Sequence, residues 1–395
     1  MRIRAAFVCL LFALAMLVPA GAQQSQYTID AIFSTTGPEA LVGQEIYVPA
    51  LRSFEKYINA HGGINGTPLH FELHDDQTSP QVAVQIASEI IAAHKTVMIG
   101  GGTTATCAAI AALTTNGPVS YCLSPGYSPV AGSYNFASSA SFQIVISTLV
   151  RFARLKGFKR IAIVNPTNAS GQAADVTLQS VMSRPENHTL QLVAFEHFNM
   201  SDVSIAAQIE KVKASNPDAI VTYASGTGFI AFLRALRDAG VSVPVLTAIN
   251  NLDPTFTKQY VSLNPSPLYA ASTAFAYYHQ AGTPRGPLQA VATAFTDAYK
   301  ASGEPITQAS TFVWDPLWIL VSGLRKVGTS ATAAQLREYM LTLQNFSGVN
   351  GIYDFRTGDQ HGLTEQSMAI VRWDPKADNV LAVSKPGGIP IDDGR

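Results

Sequence analysis

The chain has 395 residues, a net charge of −1 and only 13% charged residues. So little charge leaves no basic stripe to attract nucleic acid, and the length exceeds one ordinary hydrophobic core, so two domains are expected. Three cysteines are too few for a disulfide scaffold or a zinc framework.

In chain order, Arg2 and Arg4 open a positive region, residues 5–18 are apolar, and Ala20-Gly-Ala22 gives the small-x-small pattern of a signal cleavage site before Gln23. The run falls short of the roughly 20 apolar residues that span a bilayer. Export to the periplasm, with no membrane insertion after cleavage, is expected; Cys9 leaves with the signal. Short apolar, β-branched runs predict strands at 29–33, 69–73, 97–100 and 119–123, then at 160–164, 190–195, 219–223 and 245–248. Segments with apolar spacing near 3.6 predict helices at 82–94, 170–182, 205–213, 312–328 and 331–343. Gly62 and Gly63 stop a helix, Asn65-Gly66 makes a turn, and Ser79-Pro80 supplies an N-cap and a first helical proline. Strand–helix alternation on this scale implies parallel sheets covered by helices, and two runs of it imply two similar α/β lobes. The segment 351–358 reads as a hairpin or a crossing strand, and 264–268 and 282–288 as loops.

Few groups carry chemistry. Gly100-Gly-Gly-Thr103-Thr104-Ala105-Thr106 follows a strand and opens a helix, where backbone N–H groups and the helix dipole favour an anion such as a carboxylate. The same residues can be a plain helix start; a dinucleotide fingerprint fits poorly, because the glycine spacing is wrong and no acid ends the next strand. Ser124-Pro-Gly126-Tyr127-Ser128 ends that strand as a turn. His70, Glu72 and His74 share one strand face, which is either solvated or metal-binding; no fourth ligand converges, and neither a metal nor a cofactor is expected. Cys107 and Cys122 lie near the ends of neighbouring strands and can pair in an oxidising compartment. No nucleophile elbow, zinc-helix motif or phosphate loop is present, and an enzyme is not expected.

Ser34-Thr-Thr-Gly-Pro38, Asn59-Ala-His-Gly-Gly-Ile-Asn-Gly-Thr-Pro-Leu69 and Asp75-Asp-Gln-Thr-Ser-Pro80, taken in order, resemble the periplasmic solute-binding proteins of the branched-chain amino acid (leucine/isoleucine/valine-type) transport family. The resemblance runs from about residue 27 to about residue 384. It implies two Rossmann-like parallel-sheet lobes joined by three crossings, placed near 138–141, 270–273 and 348–352. The N-terminal lobe would comprise 23–139 and 273–349, the C-terminal lobe 140–272 and 350–385, with a tail at 386–395.

It further implies a small-molecule ligand in the cleft, closure by a hinge, a monomer, and a membrane permease powered by a separate ATPase as partner. A ligand-sensing amide or amino-acid receptor on the same fold is the alternative. Carried over by position, Thr104, with Ala105 and Thr106 beside it, would hold a ligand carboxylate. Gly126 and Ser128 would form the second binding loop, with Tyr127 an extra ring. Ser170 stands where relatives often have an aromatic, Gly226 and Thr227 form the next wall, and Val42 replaces an aromatic lid. Phe312 or Trp314 would be the pocket aromatic. Asn250 or Ile249 falls where amino-acid binders carry the carboxylate for the ammonium, and Asp253 comes a few residues late. An asparagine cannot supply that charge-assisted bond, so an acid lacking the α-ammonium is expected to compete well with leucine or valine.

Overall fold

The computed structural model describes residues 26–280, 286–307 and 309–391. The predicted signal at 1–22, part of the loop at 282–288 and the last four residues lie outside the described residues. A five-stranded sheet has the order β2-β1-β3-β4-β5, from β1 (Tyr27–Phe33), β2 (Leu69–Asp75), β3 (Val97–Gly100), β4 (Val119–Cys122) and β5 (Asn135–Ala137). All its pairings are parallel, with β1 in register with β2 from Tyr27↔Leu69 to Phe33↔Asp75. Alternate side chains of β1 bury Ile29, Ala31 and Phe33 against the helix Val48–Ala60, and Ile32 against the helix Pro80–Ala92. That two-sided burial is what a parallel sheet between helices requires.

The local signals act as read. Gly62 and Gly63 adopt φ of 83° and 59°, and the Gly63 N–H closes on the Ile58 carbonyl at 2.9 Å. Ser79 accepts from the Val82 N–H at 3.4 Å ahead of Pro80.

The second sheet has β6 (Arg160–Pro166), β7 (Gln191–Phe198), β8 (Ala219–Val221), β9 (Val245–Thr247) and β10 (Leu268–Thr273), and it also takes strands from the end of the chain. A small hairpin, β11 (Phe346–Ser347) with β12 (Ile352–Tyr353), precedes β13 (Met368–Asp374) and β14 (Asn379–Ala382), giving the order β14-β13-β10-β9-β8-β6-β7. β13 pairs antiparallel with both β10 and β14, and the tight turn between β13 and β14 permits no other pairing of those two. The second sheet is therefore mixed, not wholly parallel. β10 lies where 270–273 was expected to be a crossing. β5, β10 and β13 were not predicted: the first two are rich in Ala, Ser and Asn, and β13 finds its partner a hundred residues back.

The chain leaves the first sheet between Ala137 and the helix Phe142–Leu155, which packs on β10 and β13. The helix Ala274–Gln280 still packs on the second sheet, with the Gln280 side-chain Oε1 accepting from the Ala382 N–H at 2.6 Å, whereas the helix Pro287–Ser302 packs on Val48–Ala60. The second crossing thus lies between these helices, later than 270–273. The third is later than 348–352. The Ala137 N–H donates to the Gln360 carbonyl at 3.2 Å, and the Phe136 and Phe355 rings sit 5.5 Å apart, so the chain stays on the first lobe through residue 360. The hairpin is bracketed by Asp315, whose buried carboxylate accepts from the Val349 and Asn350 N–H groups at 2.7 and 2.8 Å and from the Tyr353 hydroxyl at 2.9 Å. Burial pushes its pKa up to about 6, against those hydrogen bonds. Within the stretch 386–395 expected as a tail, Ile389–Pro390 pairs with Ser384–Lys385 and docks on the helix Phe142–Leu155.

Trp314 is fully buried in the first lobe, with ring centroids of Phe54, Phe295 and Trp318 at 4.9, 5.4 and 6.1 Å. Replacing Trp314 with Ala is expected to cost about 3–5 kcal/mol of stability through lost burial and cavity formation. A urea midpoint unchanged from wild type would contradict this placement.

Candidate functional site

In both sheets the first strand lies inside the sheet: β1 between β2 and β3, and β6 between β7 and β8. Successive crossovers must then leave β1 and β6 in opposite directions, and the loops at their carboxyl ends part, opening a crevice at each sheet's switch point. The two crevices face each other across a cavity of about 330 Å³.

The first wall is the loop after β3. Gly101 has φ of 100°, and a Cβ there would lie 2.8 Å from the Cys107 N, so the turn demands glycine. Thr103, on the cavity wall, caps the helix Thr104–Ala111: its hydroxyl takes the Thr106 N–H at 3.2 Å, and the Thr106 hydroxyl takes the Thr103 N–H at 3.2 Å. Thr106 is fully buried in that cap and lies off the cavity. Ala105 is on the wall, and the first-turn N–H groups of Thr104 and Ala105 have no acceptor among the described residues. Thr104, expected to hold the ligand, is buried and lies off the wall: its hydroxyl bonds Ser124 at 2.9 Å and, across the cleft, Ser170 at 3.0 Å.

Ser124 and Pro125 line the cavity. Gly126 sits behind them, and a Cβ there would come within 2.5 Å of the Thr104 hydroxyl oxygen. Tyr127 packs on the disulfide that joins Cys107 to Cys122. Tyr127 and Ser128 are not on the wall, contrary to expectation, and the Tyr127 ring spends its contacts on the disulfide.

A second helix start faces the first. The Asn168 side-chain oxygen Oδ1 caps the helix Ala169–Met182 by accepting the Gly171 N–H at 2.9 Å, and Asn168, Ala169 and Ser170 line the cavity. Ser225 lines it ahead of the helix Gly226–Asp238, whereas Gly226 and Thr227 do not. The backbone of Tyr223 is held by a chain of side-chain hydrogen bonds. Asn165 accepts the Tyr223 N–H at 2.7 Å and donates to Asp175 at 2.7 Å, and His197 meets the other Asp175 oxygen at 2.7 Å. The hydroxyls of Tyr223 and Ser139 are buried, lie on residues of the wall and have no partner among the described residues.

Val42 and Ile46 close one side. They belong to the first lobe by chain order but pack into the apolar cluster of the second. Their segment follows the loop 34–39, which the two aspartates of the Asp75-Asp76 motif brace: Asp75 accepts the Thr35 N–H at 2.9 Å and the Thr36 hydroxyl at 2.6 Å, and Asp76 accepts the Ser34 hydroxyl at 2.6 Å. Asn250 and Ile249 are on the wall. Asp253 is buried behind them, off the cavity, and so is Trp314; Phe312 is the aromatic that reaches the wall.

Glu39 was missed. It lines the cavity, and its carboxylate accepts from the Ser225 hydroxyl across the cleft at 2.6 Å. Burial pushes its pKa above the usual glutamate range, against that hydrogen bond. Its position at the end of the loop after an inner first strand was the available signal. No Lys, Arg or His lines the cavity among the described residues. The polar faces of β2 are satisfied locally, with His70 near Glu55 and His74 at 2.8 Å from Asp30, and no metal-holding cluster occurs among the described residues.

A sequence profile of the periplasmic binding protein family matches residues 26–379. The chain belongs to the periplasmic binding protein family. No curated protein sequence matches this periplasmic binding protein. Solved structures share its fold at low identity. An extracellular ligand-binding receptor from Rhodopseudomonas palustris HaA2 is 19% identical with a TM-score of 0.79, covering 91% of this chain and 100% of its own. The branched-chain amino acid transporter substrate-binding protein LivJ from Streptococcus pneumoniae, in complex with isoleucine, is 17% identical with a TM-score of 0.73, covering 91% and 99%. A solute-binding protein of an ABC transporter from R. palustris, in complex with benzoate, is 16% identical with a TM-score of 0.72, covering 94% and 98%.

Two variants test the site of this binding protein. Tyr223→Phe deletes a buried hydroxyl that lacks a partner among the described residues. It is expected to leave the melting temperature of the ligand-free protein unchanged or raised, while weakening ligand binding by about 1 kcal/mol, or roughly fivefold. Thr104→Val breaks the bonds to Ser124 and Ser170, and is expected to weaken binding by about 1–2 kcal/mol, or roughly 5- to 30-fold. Calorimetric titration reads both; unchanged affinity in the two variants would place the ligand elsewhere.

Proposed function

We propose that this periplasmic binding protein is the extracytoplasmic solute-binding component of an ABC importer, holding a small carboxylate-bearing solute, an amino acid or an apolar or aromatic acid, between its lobes. The supporting observation is the pair of helix starts at Thr104 and Ala169 that meet across one small cavity. Their first-turn N–H groups and dipoles favour an anion without any cationic side chain. The rest of the wall is largely apolar, through Val42, Ile46, Leu123, Phe142, Val145 and Phe312. A cavity of about 330 Å³ suits a solute the size of a single amino acid or aromatic ring, not a nucleotide.

The family places the chain outside the cytoplasm, and no helix among the described residues is long and apolar enough to cross a membrane. Release after cleavage before Gln23, monomeric action and delivery to a permease complete the reading. Hinge closure at the three crossings would bury the solute.

A thermal-shift screen of leucine, isoleucine, valine, benzoate and aliphatic acids tests it. A true ligand at a hundred times its Kd is expected to add about 2.7 kcal/mol of stability. The absence of a shift with every acid, alongside a shift with neutral amides, would favour a sensing role instead.

A further inference from the structure

Glu39 is the one charged side chain on the cavity wall among the described residues. No ion pair among those residues includes it, although burial disfavours its charged form. One carboxylate oxygen takes the Ser225 hydroxyl from the opposite lobe, and the other has no partner among the described residues. The group does not hang on a loose loop. The Glu39 N–H donates to the Thr78 hydroxyl at 3.3 Å, and Asp75 and Asp76 pin the preceding residues. A braced, partly buried carboxylate without a counter-ion, facing a ligand cavity, is a site for a hydrogen-bond donor, and most strongly for a cation. A simple carboxylic acid entering the same cavity would instead bring a second negative charge beside Glu39, and like charges at such range repel.

We propose that Glu39 is a specificity-determining residue of the cleft, selecting solutes that carry a cationic nitrogen together with the carboxylate held by the helix starts. The inference rests on the carboxylate reading above and names the substrate class: a small zwitterion. It reverses the expectation drawn from Asn250. The wall position of Asn250 is neutral, and the anion is supplied from the other lobe, next to the Ser225 contact that joins the two lobes.

Matched pairs of ligands provide the test: leucine with 4-methylpentanoate, and phenylalanine with 3-phenylpropanoate, each pair sharing a carbon skeleton and differing in the nitrogen. Calorimetric titration of the full chain is expected to find the nitrogen-bearing member of a pair bound more tightly by the wild type. Glu39→Gln keeps an oxygen for the Ser225 hydroxyl and removes the charge. It is expected to weaken that member by about 10- to 150-fold and leave the deaminated acid unchanged or improved, so that the preference collapses. Ser225→Ala, which removes the interlobe bond and keeps the charge, is expected to retain the preference, as is Glu39→Asp.

Equal weakening of both members by Glu39→Gln would overturn the proposal in favour of a role in closure alone, and so would wild-type preference for the deaminated acid. That last result needs no variant and stands even if Glu39→Gln fails to fold. Failure of all four probes to bind the wild type would overturn the carboxylate reading and this inference with it. Binding without selectivity at Glu39 would overturn the inference only.

Discussion

The placement of the first strand inside each sheet is the constraint on which the rest depends. Because β1 lies between β2 and β3, and β6 between β7 and β8, the loops that follow these strands separate and leave a crevice at each carboxyl edge. Into those crevices the chain delivers two capped helix starts, at Thr104 and Ala169, and the acidic loop that ends at Glu39. None of these features would face another if either lobe had its first strand at an edge.

Two hydrogen bonds between side chains cross the cleft among the described residues. Thr104 bonds Ser170, and Ser225 bonds Glu39. Each such bond contributes a net of about 0.5–1.5 kcal/mol, which is small beside the burial that holds each lobe together. A ligand that touches both lobes shifts the balance by its differential affinity for the apposed state. The apolar insertion of Val42 and Ile46 into the second lobe's cluster adds to the same balance. By contrast, the crossings themselves are well anchored. Asp315 fixes the turn 348–350, and the Gln360 carbonyl takes the Ala137 N–H.

The two motifs that carry the family resemblance have a physical connection. Asp75 and Asp76, at the end of β2, accept hydrogen bonds from Ser34, Thr35 and Thr36, at the end of β1. The motifs are neighbours because β1 and β2 pair in register, and their joint product is a rigid loop that sets Glu39 at the cavity. The Asn165–Asp175–His197 chain serves the second lobe in the same way, fixing the Tyr223 backbone.

What the sequence determined by itself was local. Gly62-Gly63, Ser79-Pro80 and the glycine-rich turn before Thr104 act through the backbone within a few residues, so each cap and turn is legible from residue type and spacing. The early strands are equally legible, because burial on both faces enforces apolar, β-branched runs. The late strands β10 and β13 were hidden, since their existence depends on partners distant in sequence. The positions of the second and third crossings, after Gln280 and after residue 360, were hidden for the same reason. Site membership was divided along this line too. Ala105, Ser170, Val42 and Asn250 reach the cavity from elements whose ends face it. Thr106 is consumed by its own cap, and Trp314 turns inward while Phe312, two residues earlier on the same helix, turns to the cavity. Whether a side chain near a strand end meets a ligand or a core is decided by the packing of the other lobe, and that is information only the tertiary structure holds.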